Sequence, residues 1–106
     1  MPVALPPIPS RLPAPLPEGE RIFIVEAIKR FYGNDAVVRN FGPEPNRLEL
    51  HVETNLDPDM REYDCLGVLL TRIEREQVSL EVTKRGMKPR GSSKIAYRQG
   101  VILNDP

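Results

Sequence analysis

Seven of the twelve prolines in this 106-residue chain fall within its first 17 residues, MPVALPPIPSRLPAPLP. Proline lacks a backbone N–H and fixes φ, so this stretch can enter neither a helix interior nor a central strand. Polyproline II or an extended strap is the conformation expected of it. The chain therefore divides into a proline-rich N-terminal strap or tail over 1–18 and a single domain over 19–106. Leu5, Ile8, Leu12 and Leu16 recur every three or four residues, which suits a tail lying against a surface. The tail also contains Pro6-Pro-Ile-Pro-Ser-Arg11, the PxxPx+ spacing that aromatic-lined grooves accept. A segment this dense in proline produces that spacing by composition alone.

Beyond the tail, hydrophobic periodicity sets the elements. Between Glu20 and Tyr32 the apolar residues Ile24, Val25, Ala27, Ile28, Phe31 and Tyr32 share one side of a helical wheel, with Glu26, Lys29 and Arg30 opposite. Gly33 supplies the residue that commonly follows a helix. Ala36–Phe41 reads as a short strand, and the Gly-Pro-Glu-Pro-Asn of 42–46 as a turn. Arg47–Thr54 alternates, with Leu48, Leu50 and Val52 on one face and Glu49, His51 and Glu53 on the other. Asp57 as N-cap and Pro58 as first residue predict a second helix, with Tyr63, Leu66, Leu69, Leu70 and Ile73 as its buried stripe. Gln77–Lys84 alternates again, with Val78, Leu80 and Val82 inward. A basic loop, Arg85–Ser93, leads to a last predicted strand over Lys94–Ile102, with Ile95, Tyr97 and Val101 on one face.

The predicted order is α-β-β-α-β-β. The fold class this implies is α+β, an αββαββ two-layer sandwich in which two helices cover one face of a four-stranded antiparallel sheet. Moving the last strand to the front gives β-α-β-β-α-β, a circularly permuted ferredoxin-like topology with the final strand central. The alternatives are a two-hairpin sheet of different strand order, or a sheet completed by a second chain.

Fifteen Lys and Arg balance fifteen Asp and Glu, so overall charge draws the chain to neither nucleic acid nor membrane. No apolar run approaches the ~20 residues of a membrane span, and the N-terminus has prolines where a secretory signal has its apolar region. The single cysteine, Cys65, forms no internal disulfide and no Cys-based zinc site. The expected location is therefore the reducing cytoplasm, with no membrane partner. No glycine-rich phosphate loop occurs, and no cofactor is implied.

The zero net charge is a sum of separated patches. From Lys84 to Arg98 the chain carries Lys84, Arg85, Lys88, Arg90, Lys94 and Arg98 and no acid. From Glu44 to Asp64 it carries seven acids against Arg47 and Arg61. Opposite patches steer and register association. The leading expectation is thus a small non-enzymatic protein-interaction module, self-associating as a homo-oligomer or docking on a protein partner through complementary patches. The alternative is a nucleic-acid-binding protein that uses the basic hairpin loop 84–98 on phosphates. Aromatic interleaving is sparse there, with Tyr97 alone. Third is a polar sheet-face site, Glu49, His51, Glu53 and Glu81, able in principle to bind a metal or run acid–base chemistry. Ordinary strand alternation also produces such a face, and with one histidine no metal site is assigned. A nuclease-like reading of Asp59, Glu81 and Lys84 fails, because residues three apart on a strand face opposite ways.

Overall fold

The computed structural model describes residues 15–42, 44–57 and 60–104. The PxxPx+ segment and most of the N-terminal strap lie outside these residues, as do Pro58 and Asp59 of the second helix's predicted start.

The first helix, α1 (Glu18–Tyr32), follows Pro17 and buries Ile24, Val25, Ala27, Ile28 and Tyr32, the face its periodicity predicts. Strand β1 (Val37–Asn40) and strand β2 (Arg47–Thr54) pair antiparallel as a hairpin, with Val38 opposite Val52 and Asn40 opposite Leu50. Gly42 closes this hairpin. Its N–H donates to the buried Asn40 Oδ1 at 3.0 Å, and a Cβ placed there would lie 1.9 Å from the Arg47 carbonyl oxygen. The second helix, α2 (Arg61–Leu70), then carries the chain to β3 (Gln77–Lys84).

Strand β3 pairs with β2 in parallel, from Arg47 opposite Gln77 to Thr54 opposite Lys84. A parallel return needs a crossover, and α2 supplies one. The sheet is therefore mixed, not antiparallel throughout. Its order is β3-β2-β1-β4.

The predicted last strand resolves differently. Ser92–Gln99 is a third helix, α3, and only Val101–Ile102 forms a strand, β4, antiparallel to β1. Within α3 the buried residues are Ser93 and Ala96, three apart, while Ile95 is half exposed. Helical spacing of small residues decided this segment, against the strand-like alternation of Ile95, Tyr97 and Val101. β4 lies at the sheet's edge rather than its centre. The parallel pair and the edge position of β4 give no support to the permuted ferredoxin-like arrangement.

The layers follow from which side chains meet. Leu48, Leu50 and Val52 join Ile24, Ile28, Cys65, Leu69 and Ile73 in one core, so α1 and α2 cover one face. α3 covers part of the other, through Ser93 on Thr83 and Tyr97 on His51. Among the described residues the architecture is α+β with a four-stranded mixed sheet and three helices, not a two-layer sandwich with two.

The buried side of α2 is also rotated from its predicted stripe. Cys65 and Leu69 are fully buried, whereas Tyr63 and Leu70 are exposed. Beyond β4, Leu103 enters the core and donates its N–H to the Val38 carbonyl at 2.8 Å. The Asn104 amide then acts as a surrogate peptide unit. Its Oδ1 accepts from the Val38 N–H at 2.7 Å, and its Nδ2 donates to the Ala36 carbonyl at 2.9 Å. No helix among the described residues is long and apolar enough to cross a membrane.

Candidate functional site

The face of the sheet opposite the main core carries the polar residues that alternation placed there, but it is not an open face at His51. α3 lies across it, and His51 has no solvent exposure. The imidazole Nε2 is 2.9 Å from Thr83 Oγ1, Thr83 donates to Ser93 Oγ at 3.2 Å, and Ser93 donates to Glu81 Oε2 at 3.1 Å. Proton counting fixes the direction of this chain. A carboxylate only accepts, and each hydroxyl has one hydrogen, so Ser93 serves Glu81 and Thr83 serves Ser93. The Thr83 oxygen must then accept from His51, which places the imidazole proton on Nε2.

His51 Nδ1 is buried with no hydrogen-bond partner among the described residues. Protonating it would bury both a charge and an N–H with no acceptor, and the pKa is low because of that burial. Burial drives it down, the Arg39 charge pushes the same way, and Glu81 and Glu53 offset only part, leaving it at about 4. At neutral pH His51 is an uncharged imidazole sealed from solvent, joined by edge contact to Tyr97 with ring centroids 4.9 Å apart.

Glu53 is the second junction on this face. It accepts from Arg39 Nη1 at 3.1 Å and from Arg85 Nε at 2.9 Å. Burial raises its carboxyl pKa, but hydrogen bonds from Arg85, Arg39 and Tyr97 outweigh that and hold it below the usual carboxylate range. Arg39 also lies over the Tyr97 ring, 4.6 Å from its centroid. Glu53, Arg39 and Tyr97 thereby lock α3 to the sheet. Glu49, the remaining sheet-face acid, is half-buried. Glu53 and Glu81 are thus committed to neighbours, and no group of three metal-ligating side chains converges among the described residues.

The six cations of 84–98 divide into two sets. Lys84 pairs with Asp57 at 2.6 Å, and Arg85 spans Glu53 and Asp35. Two of the mid-chain acids, Glu53 and Asp57, are in this way neutralised by the basic segment of the same chain. Lys88, Arg90, Lys94 and Arg98 form no ion pair with any described residue. Lys88 and Arg90 sit in the turn between β3 and α3, where Gly86 and Gly91 adopt positive φ. With Asp57, Thr83, Lys84 and Ser93 they border an open basin of about 400 Å³ whose apolar lining is Val82 and Met87. Lys94 and Arg98 are exposed one turn apart on α3.

The sequence pattern identified the polar face and the basic run. Three participants escaped it: Arg39 and Tyr97, which bracket the face, and Ser93, which links His51 to Glu81. Their roles depend on α3 being a helix. Cys65 is fully buried, and burial pushes its thiol up to about 11, so it carries no nucleophile at neutral pH. Compared with protein-family models, curated proteins and solved structures, the chain matches none.

Proposed function

We propose that the protein is a small non-enzymatic interaction module that docks, on a protein partner or a copy of itself, through the cations Lys88, Arg90, Lys94 and Arg98. The observation that carries this reading is the division of the basic segment. Lys84 and Arg85 are neutralised internally, while the other four cations project from one turn and the helix it enters, without acid partners among the described residues. Unneutralised cations held on a helix and a short turn are available to meet opposite charge on a partner. The sealed His51 and the high thiol pKa of Cys65 leave this face as the richest chemistry offered to solvent.

The test is retention on immobilised poly-glutamate at low salt. The protein should be retained, Lys88→Glu with Arg90→Glu should abolish retention, and ~0.5 M salt should release the wild type, since exposed charges are screened beyond about a Debye length. Wild-type protein that flows through at low salt overturns the proposal.

A second reading, nucleic-acid binding, is favoured by the basin itself, where Lys84, Lys88 and Arg90 surround a concavity wide enough for a phosphate. Anisotropy titrations with single- and double-stranded oligonucleotides separate the two. Phosphate contact by four cations predicts an affinity that falls with roughly the third to fourth power of salt concentration. Poly-glutamate retention without oligonucleotide binding rejects this second reading.

A further inference from the structure

We infer that two copies of the chain join through their β3 edges, antiparallel across a two-fold axis at Leu80, to make one continuous eight-stranded sheet. The inference goes beyond the interaction reading above: it draws on a different part of the molecule, the β3 edge, and its partner is a second copy of the chain.

The two edges of the sheet are unequal. β4 has two residues and is followed by the Asn104 clamp. β3 has eight, contains no proline or glycine, and pairs with no described strand but β2. A long uninterrupted edge is what natural sheets normally shorten, bend or cover. Which of its backbone groups face outward follows from its ends. Gln77 N–H donates to the Asn46 carbonyl, and Arg85 N–H to that of Thr54. Odd-numbered residues therefore turn their peptide groups towards β2, and Val78, Leu80, Val82 and Lys84 turn theirs away from it.

Only registers that place opposite residues on the same face are allowed, because a one-residue slip exchanges the faces. An axis at Leu80 sets Leu80 against its copy and Val78 against Val82, continuing the half-buried apolar row that packs on the core. On the other face Ser79 lies opposite Glu81, hydroxyl to carboxylate. Glu76, just before the strand, lies opposite Lys84, whose half-exposed ammonium can meet a second carboxylate besides its own Asp57. The neighbouring registers are worse: an axis at Glu81 stacks that carboxylate on itself, and one at Ser79 sets Glu76 against Val82. Antiparallel pairing sets Glu76 of one copy beside Lys84 of the other twice per dimer, while Arg85 stays on its own Glu53 and Asp35. The edge is complementary to itself.

Disulfide trapping reads the register directly. Ser79 and Glu81 of the two copies form a pair whose Cα atoms are about 4.5 Å apart, within disulfide reach, whereas Ser79 and its own copy are about 8 Å apart. The native Cys65 is buried and does not compete. Mixing Ser79→Cys protein with Glu81→Cys protein under mild oxidation should give covalent heterodimer at least tenfold above what either variant gives alone. Sedimentation of the wild type should give twice the mass of one chain at high concentration, a measurement that needs no variant to fold. A covalent dimer from Glu81→Cys alone, or from Ser79→Cys alone, in a yield equal to the mixture's overturns the inference by placing the axis elsewhere. So does a wild-type monomer at every concentration, or a dimer that the folded variants do not trap. Each of these leaves poly-glutamate retention, the test of the interaction reading, free to succeed or fail independently.

Discussion

His51 shows how a residue suited to chemistry becomes a structural link. Its neutral form donates through Nε2 into a chain of hydroxyls that ends on Glu81, and its Nδ1 is left without an acceptor. The folded state therefore resists protonation that the unfolded chain accepts near 6.5. Between pH 6.5 and about 4 the unfolded state binds more protons, so stability falls as pH drops through that window and is fully present above it. A native pKa of about 4 predicts a loss of about 2 kcal/mol between pH 7 and pH 5. Urea denaturation at the two pH values measures it. His51→Gln, which can still donate to Thr83 but cannot titrate, should flatten that part of the profile. An unchanged slope in the variant would assign the effect to other groups.

At the scale of elements, the hairpin and the third helix depend on two close approaches. Gly42 brings its backbone against Arg47 where no side chain fits, and at Gly100, which ends α3, a Cβ would lie 2.4 Å from the Ala96 carbonyl oxygen. Gly42→Ala must part β1 from the turn and should cost about 1–3 kcal/mol, towards the upper end because the obstructing atom is backbone. A thermal midpoint equal to wild type would contradict the packing described at this turn. α1 and β2 were legible in the sequence because each carries a long, single-period pattern whose large apolar residues reach the core. The C-terminal segment was not, because the residues that α3 buries, Ser93 and Ala96, are small and carry little hydropathy. Its larger residues, Ile95 and Tyr97, imitate a strand. The parallel β2–β3 pair was hidden for another reason: alternation states which face a residue takes but not the direction of the neighbouring strand. The polar face was legible from Glu49, His51 and Glu53. Its burial was not, since nothing within β2 reveals that a helix from another part of the chain will cover it.

For the whole molecule, equal numbers of acids and bases conceal a division of labour among the cations. Lys84 and Arg85 hold loop and sheet together, while Lys88 and Arg90 are free to meet something else. Two paired variants should separate these roles. Lys84→Gln with Arg85→Gln should lower the urea midpoint and leave poly-glutamate retention intact at temperatures where the protein is folded. Lys88→Gln with Arg90→Gln should weaken retention and leave the midpoint within experimental error. If both pairs alter both measurements equally, the division is not real.

The Asn104 clamp beyond β4 has a further consequence, seen by treating the sheet as a monomer for polymerisation. A building block with two sticky edges is bifunctional and grows into fibres, as open head-to-tail contacts do. Here β4 is two residues long, and the chain after it turns Leu103 inward and spends the Asn104 side chain on β1. Among the described residues that end offers only the two-residue outer side of β4, so the pairing proposed at β3 would stop at two copies rather than propagate.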